Sequence, residues 1–277
     1  MNAPEQFSSA PLPDVQSQAD KRAIEIQKVG IRGLRHPINV LTPDGIQSTV
    51  ATVDMTVSLE ASVKGTHMSR FVEVFQENKL ATSTTSLINL GNEMLKRLEA
   101  GSGWLKIRFP YFINKTAPVS GVKSLMDYDV TWELETNAND LINPSLKVVV
   151  PVTSLCPCSK NISKYGAHNQ RSHISITVDV IDPNLNVNEI IFLAEEAASC
   201  ELWGLLKRPD EKFVTEKAYD NPKFVEDLVR DVAISLEKFV SKKRINGYSI
   251  ESENFESIHN HSAFAQIEKR KFNLSTT

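Results

Sequence analysis

The sequence has few cysteines and no long apolar run, and each shortage excludes a class of protein. Three cysteines among 277 residues are too few, and odd in number, for a disulfide scaffold, so we expect a reducing compartment. No apolar run approaches the roughly 20 residues of a membrane span. The first 22 residues lack the basic start and apolar core of a signal peptide. These shortages predict a cytoplasmic protein with no membrane partner.

The chain also lacks a strong charge of either sign. It has 31 Lys and Arg residues against 34 Asp and Glu residues, for a formal net charge of -3. This balance implies no general attraction to nucleic acid. The length suits one large domain or two modules of about 120 residues each. Pro, Ser and Gln are frequent at the N-terminus, and we expect residues 1–26 to form a disordered arm.

Hydrophobic patterns predict an order of strands and helices that occurs twice. Ala51–Val63 alternates apolar and polar residues without a break, which predicts a long strand with one wet face. Each half reads strand, strand, helix, helix, strand, strand. Antiparallel strands with paired helices on one face make an α+β architecture. We therefore predict two modules, residues 27–143 and residues 144–277.

The other predicted elements complete this order. In the first half they are strands near Val29–Leu34, Trp104–Phe112 and Tyr128–Glu135, and helices at His67–Glu77 and Ser83–Glu99. In the second half they are strands at Ser145–Leu155, His173–Val180, Asn246–Ser252 and Ala263–Lys269, and a helix at Asn188–Cys200. A last helix is predicted to begin with Asn221 as its N-cap and Pro222 at its first position.

The residues with the most chemistry concentrate in one stretch, VPVTSLCPCSKNISKYGAHNQRSH, from Val150 to His173. Cys156 and Cys158 follow a predicted strand, and His168 comes twelve positions after Cys156. A connection of that length can fold back and bring the thiol and the imidazole together. A thiolate and an imidazole are good ligands for zinc and related metals. One Cys-x-Cys pair cannot close a structural zinc site, which favours an open site with two or three protein ligands and a water. The opposite interpretation, that these residues are incidental to a loop, stays open here.

Other candidate residues lie near the ends of predicted elements. Glu211 falls in a charged segment predicted to be a loop. Glu226 is predicted in the second turn of the last long helix, beside its apolar stripe, where it could equally be a solvated residue stabilised by the helix dipole. Glu256 and His259 lie between the last two strands, where a polar turn is the alternative. Cys200 falls on an apolar helical stripe and is predicted to belong to the core.

Four stretches of the chain together resemble the prokaryotic type IB GTP cyclohydrolases. They are PVTSLCPCSKNIS…GAHNQRSH, KGTHMSRF, GLLKRPDEKFVTEKAYDNPKFVEDLVRD and ESIHNHSAFA, in the order typical of that family. The resemblance covers the chain from about Gln27 onward. It implies the tunnelling fold, in which two tandem ββααββ modules contribute antiparallel sheets that assemble into barrels. It also implies a homo-oligomer, a dimer of dimers forming a homotetramer, with active sites at subunit interfaces.

The resemblance further implies an activity and a cofactor. The reaction is hydrolysis of GTP to 7,8-dihydroneopterin triphosphate and formate, the first step of tetrahydrofolate biosynthesis. A metal-bound water would attack C8 of guanine, and the divalent metal would be Mn²⁺, Fe²⁺ or Zn²⁺.

The family's motifs also assign roles to single residues. The implied catalytic residues are Cys156, His168, Glu256 and His259. The implied metal ligands are Cys156, His168 and Glu211, with Glu256 and His259 as further candidates. Glu226 is the implied anchor for guanine, and the candidates for binding the triphosphate include Lys160, Arg171 and Arg70.

Two other functions stay open on the sequence. A nitrile reductase of the same fold would use a catalytic cysteine and NADPH without a metal. A non-catalytic metal-binding protein could also be built on this fold. Formate release from GTP, metal content and NADPH turnover distinguish the three.

Overall fold

A computed structural model describes residues 14, 16, 18–78, 80–137 and 144–270 of the chain. Its strands are β1 (Ile26–Thr42), β2 (Gly45–Leu59), β3 (Ser102–Thr116), β4 (Lys123–Asn137), β5 (Ser145–Leu155), β6 (Asn169–Val180), β7 (Ile245–Asn254) and β8 (Ala263–Glu268). Its helices are α1 (Met68–Glu77), α2 (Thr84–Leu98), α3 (Pro157–Ile162), α4 (Val187–Ala197), α5 (Arg208–Asp220) and α6 (Val225–Ser241). Of the helices in this part of the chain, none has the length and apolar composition needed to cross a membrane.

The strands form one antiparallel sheet in which each strand pairs with the next along the chain, from β1 to β8. The two halves share this sheet, because β4 pairs with β5 and places Val130 opposite Val148. Since strand direction alternates, the connections at residues 43–44, 117–122, 156–168 and 255–262 all lie at the same end of the sheet. We call this the loop end.

The core lies between one face of the sheet and the helices. Inward residues alternate along the strands, as at Leu105, Ile107 and Phe109 of β3, which are at most 3% exposed. Buried residues of α2, α4 and α6 belong to the same hydrophobic cluster, which continues across both halves. The α+β architecture predicted from the alternation is therefore confirmed.

The start of α2 shows how a local signal fixes an element. The side chain of Ser83 accepts a hydrogen bond from the backbone N–H of Ser86, and the Ser86 side chain accepts one from the N–H of Ser83. This reciprocal pair satisfies two amides that the helix leaves free. The helix predicted at Ser83–Glu99 is confirmed, with Ser83 as its N-cap and Glu99 as its C-cap.

Strand boundaries differ from the prediction where the chain turns without a change of pattern. The strand β2 begins at Gly45 and ends at Leu59, so it is shifted toward the N-terminus relative to Ala51–Val63. Val63 instead forms an isolated bridge with Ala19. The disorder predicted for residues 1–26 stays a prediction, because residues 1–13, 15 and 17 lie outside the described residues, as do residues 138–143 of the first predicted module.

Two predictions for the second half were wrong. The charged segment around Glu211 is not a loop but the helix α5, which has almost no apolar stripe because only Asp210 and Ala218 are buried. The last helix begins at Val225 with Phe224 as N-cap, so Glu226 lies in its first turn rather than its second.

The reason for the later start of α6 is tertiary. Asn221 ends α5 as its C-cap, and its side chain donates to the carbonyl of Ala198 at 2.8 Å. The backbone N–H of Lys223 donates to the carbonyl of Leu155 at 3.1 Å. These bonds hold residues 221–223 outside both helices, beside the end of β5. As a result Phe224, whose apolar character suggested a place on the buried stripe of α6, is 46% exposed and lies outside that stripe.

Candidate active site

Cys156 is placed by the end of β5. The preceding residue, Leu155, donates its N–H to the hydroxyl of Ser199 at 3.1 Å and accepts from Lys223, so the strand end is held from two sides. Cys156 is the N-cap of α3, and its Sγ accepts a hydrogen bond from the N–H of Ser159 at 3.4 Å. The Cys156 thiol is partly buried and accepts this one backbone hydrogen bond.

His168 closes the same connection. The N–H of Cys156 donates to the carbonyl of His168 at 3.1 Å, so the loop returns as the spacing predicted. The N–H of His168 donates to the hydroxyl of Ser159 at 3.2 Å. The imidazole Nδ1 lies 3.0 Å from Oε1 of Gln170. Backbone and side chain of His168 are thus both held.

Glu256 joins this group from the β7–β8 connection. Its Oε2 lies 3.5 Å from Nδ1 of His168, and both side chains are 12% exposed. The neighbouring Phe255 donates its N–H to the carbonyl of Arg171 at 3.0 Å and packs its ring edge-on against His173 at 4.9 Å. The connection therefore docks on β6 and brings a carboxylate to the imidazole.

His259 lies further along the same connection. Its ring stacks on that of His261, with 5.1 Å between the centroids, and both residues are exposed. Its N–H approaches the carbonyl of Glu256 at 3.4 Å, so the turn keeps His259 close to Glu256 along the backbone.

The two other candidate glutamates are on helices. Glu226 is exposed in the first turn of α6, near the point where Lys223 binds Leu155. Glu211 is exposed at the start of α5, and the helical rise puts it about 14 Å along the axis from Asp220. Within the described residues no three His, Cys, Asp or Glu side chains gather to hold a metal. Within one chain, therefore, His168 and Glu256 are in contact next to Cys156. Glu211 is not part of this group.

The candidate triphosphate ligands are dispersed. Lys160 donates its ammonium group to the carbonyl of Tyr219 and lies 4.3 Å from the centre of that ring, so it caps the C-terminal end of α5. Arg171 is exposed on β6. Arg70 donates to the carbonyl of Arg97 at 3.2 Å, which places it at the C-terminal end of α2 and at the opposite end of the sheet from Cys156.

A cluster of buried polar side chains lies behind His168. Gln170 Nε2 donates to the hydroxyl of Ser154 at 3.4 Å, and Asn254 Nδ2 donates to the same hydroxyl at 3.2 Å. The hydroxyl of Ser252 donates to Oδ1 of Asn254 at 3.5 Å. Sequence reasoning missed these residues. Each of them is a polar residue at a position where the alternation along its strand predicts a buried, apolar side chain, and this departure could have identified them.

The second half of the chain is anchored to the first half through α5. The buried carboxylate of Asp210 accepts from the N–H groups of Val119 and Ser120 at 2.8 Å each, and from the Ser120 hydroxyl. Burial by itself would raise the pKa of Asp210, but hydrogen bonds from Ser120, Lys207 and Val119 outweigh it and hold that pKa below its usual value.

A second anchor runs through α4. The Lys115 ammonium group lies 2.7 Å from Oε1 of Glu195, and both side chains are 8% exposed. The hydroxyl of Tyr128 donates to the same carboxylate at 2.7 Å, and burial together with Glu195 raises the pKa of Tyr128. Two strands of the first half thus bind a helix of the second.

Cys200 differs from Cys156 in its surroundings. It is fully buried, as predicted for a core residue. Burial, followed by the effect of the neighbouring Glu201, raises the pKa of the Cys200 thiol to about 12. Cys200 is therefore protonated at neutral pH, and it is not a candidate nucleophile or ligand.

The chain is similar to known proteins over almost its whole length. A sequence profile described as type I GTP cyclohydrolase folE2 matches residues 12–265. The chain is 58% identical over 261 residues to the GTP cyclohydrolase FolE2 of Paraburkholderia phymatum, covering 94% of this chain and 96% of that protein. It is 57% identical over 261 residues to the GTP cyclohydrolase FolE2 of Azoarcus sp., with the same coverage of 94% and 96%.

Solved structures show the same fold at low identity. The uricase of Arthrobacter globiformis superposes with a TM-score of 0.51 at 8% identity, covering 91% of this chain and 96% of that one. A hyperthermostable urate oxidase mutant of Bacillus sp. TB-90 gives a TM-score of 0.52 at 9% identity, covering 87% and 97%. At these identities the likeness concerns the fold alone, and it confirms the predicted tunnelling fold.

Proposed function

The chain belongs to the type I GTP cyclohydrolase FolE2 family and is a GTP cyclohydrolase of folate biosynthesis, and from this premise we propose how its residues divide the reaction. The products are 7,8-dihydroneopterin triphosphate and formate. The observation that carries the proposal is the contact between the His168 imidazole and Glu256 at the loop end of the sheet, together with the backbone hydrogen bond that ties His168 to Cys156. The finer assignment to the type IB branch rests on the motifs that run from CPC to ESIHNH.

Guanine recognition is assigned to Glu226. Guanine presents N1–H and its 2-amino group as adjacent donors, and a carboxylate is a planar double acceptor that can bind both. Glu226 is exposed on the first turn of α6, beside the strand end that holds Cys156. This position suits a residue that orients C8 of the purine toward the thiol and the imidazole.

The donor set fits a divalent cation at Cys156 and His168. Sulfur and imidazole nitrogen suit Zn²⁺ and also accept Mn²⁺ or Fe²⁺. Nδ1 of His168 faces Gln170 and Glu256, which leaves Nε2 for a ligand. Because no third ligand gathers within the described residues, the pair suits an open site, and Glu211 stays a predicted ligand. A cation bound there would lower the pKa of a coordinated water toward neutrality.

Proton transfer is assigned to Glu256 and His259. Ring opening, formate release and the sugar rearrangement all move protons, and these two groups lie on one connection beside His168. Glu256, whose Oε2 lies 3.5 Å from Nδ1, would stabilise positive charge on the imidazole, whereas the nearer acceptor for the Nδ1 hydrogen is Gln170. His259, which is exposed, would exchange protons with the substrate.

We also propose that the working form is a homo-oligomer, a dimer of dimers with sites at subunit interfaces. Two observations support this. The outer strands β1 and β8 each have one neighbour within the described chain. Arg70 lies at the far end of the sheet from Cys156, so it could bind triphosphate only at another subunit's site. Lys160 and Arg171 remain candidates from the same chain.

Incubation with GTP tests this function. Protein loaded with Mn²⁺, Fe²⁺ or Zn²⁺ should release formate and give pterin fluorescence after oxidation. Protein stripped by chelator should be inactive and should recover on metal addition. Full activity in excess chelator, with no metal detected, would contradict the proposed dependence on a bound cation. NADPH turnover without formate would restore the nitrile reductase alternative.

A further inference from the structure

The inward face of the sheet changes character at the loop end. Along β5, β6 and β7 the inward positions are apolar, as at Val150, Ile174 and Ile250, which are 0% exposed. Toward the loop end the same faces turn polar. These positions are Ser154, Gln170, Ser172, Ser252 and Asn254, and none is more than 8% exposed. Backbone pairing completes the strands here without any polar side chain, so packing alone does not call for this set.

Hydrogen bonds fix the direction of the Gln170 amide. Its Nε2 donates to the hydroxyl of Ser154, which also receives a bond from Asn254. With Nε2 turned to Ser154, Oε1 is the atom presented to Nδ1 of His168, at 3.0 Å. An amide oxygen only accepts, so Nδ1 must carry the hydrogen. The Nε2 of the neutral ring then carries no hydrogen and presents a lone pair.

We propose that Gln170 is a positioning residue that fixes the tautomer and the ring orientation of His168, and that Ser154 and Asn254 act by holding the Gln170 amide. The importance of this tautomer for catalysis rests on the proposed function, whereas the tautomer itself does not. A ring with hydrogen on Nε2 would present a donor where a metal ligand or a base needs a lone pair. The amide is also neutral, so it orients the ring without adding a second negative charge beside Glu256.

One buried group argues that the cluster is not arranged for stability. The Ser172 hydroxyl is fully buried and has no hydrogen-bond partner among the residues that the structure describes. Leaving such a group without a partner costs free energy. A cluster selected for stability alone would be apolar at this position, as the same strand is at Ile174.

The tautomer can be measured without metal or substrate. In metal-free protein with ¹⁵N-labelled histidine, at a pH where the imidazole is neutral, long-range proton–nitrogen NMR spectra distinguish the two tautomers. Wild-type His168 should carry its hydrogen on Nδ1. Gln170→Met should shift it toward the Nε2–H form that free histidine favours, and Gln170→Glu, which keeps an accepting oxygen, should preserve Nδ1–H. Gln266→Met, on the exposed face of β8, is the matched control.

Two further arms separate positioning from folding and from the proposed function. Ser154→Ala, a smaller change, should give a mixture of tautomers if Gln170→Met does not fold. With GTP, Gln170→Met should lower kcat/KM by about 10- to 100-fold, mainly through kcat. Gln170→Glu should keep the tautomer but should also lose activity, because it places a second negative charge beside Glu256. Hydrogen on Nε2 in the wild type, or an unchanged tautomer in Gln170→Met, would overturn the proposal. Absence of any GTP turnover would count against the proposed function and leave the NMR result intact.

Discussion

The two halves of the sheet have the same order of strands and differ at the loop end. In the first half the connections are residues 43–44 and 117–122. Their sequences contain no cysteine, histidine or glutamate, and Asp44 is their one charged residue. In the second half they are residues 156–168 and 255–262, which carry the candidate chemistry. The comparison teaches that the same order of strands can support either two loops with little chemistry or two loops that carry a candidate active site, according to the length and composition of those loops.

The same contrast occurs at the start of a helix. Thr85 is the second residue of α2, and Glu226 is the second residue of α6, and both are exposed. The backbone position is equivalent, but only a carboxylate can accept two hydrogen bonds from guanine. The difference between the halves is therefore one of side chains on a shared scaffold.

The largest expected effect separates the loops. Cys156→Ala should reduce kcat/KM for formate release by at least about a thousandfold, because a reacting group is removed. Cys158→Ala should keep much of the activity, since Cys158 is exposed and can be replaced at small cost. Asp44→Ala, in the short first-half connection, is the matched control. Formate assays with circular dichroism as a folding check measure all three. Activity in Cys156→Ala with loss in Cys158→Ala would mean that the motif was assigned to the wrong cysteine.

The next effect concerns the contact between Lys115 and Glu195, which binds the first half of the chain to the second. Lys115→Met leaves the carboxylate of Glu195 buried without its cation, which should lower the free energy of unfolding by about 3 kcal/mol or more. Lys106→Met breaks an exposed pair with Glu133 inside the first half and should cost less than about 1 kcal/mol. Urea unfolding measures both. Equal changes in the free energy of unfolding would show that the buried pair of Lys115 and Glu195 stabilises the protein no more than a surface pair does.

A smaller effect tests the helix starts. Glu226→Gln replaces one of two acceptors by a donor facing a guanine donor, which should cost roughly 2–3 kcal/mol, or about 30- to 150-fold in kcat/KM. Thr85→Ala, at the equivalent position, should leave kcat/KM unchanged. Steady-state kinetics with GTP compare them. Wild-type kinetics in Glu226→Gln would return this residue to the role of a solvated helix glutamate.

The smallest effect depends on pH. The folded-state pKa of Asp210 is lowered, so its stabilising contribution is complete above the unfolded value, near 4, and is lost as pH falls through the folded pKa. Asp210→Asn should therefore be less stable than the wild type at neutral pH, and the difference should shrink below about pH 4. Thermal unfolding over a pH series measures this. A difference that grows with acidity would contradict the lowered pKa.

Local patterns predicted the fold better than the site. The cap at Ser83 and the alternation of β3 depend on neighbours in sequence, so both could be read directly. The helix α5 could not, because its contacts are polar and its buried residues are few. The return of His168 to Cys156 followed from loop spacing. The approach of Glu256 to His168 did not, because it depends on the pairing of β6 with β7 across the chain.

Gln170 shows a further limit. Its place in the motif is visible in the sequence, but its role depends on which amide atom faces His168. That direction is set by Ser154 on β5 and Asn254 on β7, which are far apart in the chain. A pattern along one strand cannot show a hydrogen bond that three strands arrange together.

The pairing of each strand with the next has a consequence for synthesis. As the chain leaves the ribosome from its N-terminus, every strand from β2 onward emerges when its partner is already present, so the sheet can grow without waiting for distant segments. The site cannot form on that schedule. Cys156 and His168 emerge with the fifth and sixth strands, whereas Glu256 follows the seventh. A nascent chain therefore has most of its framework well before the candidate active site is complete, and we expect it to acquire catalytic competence last.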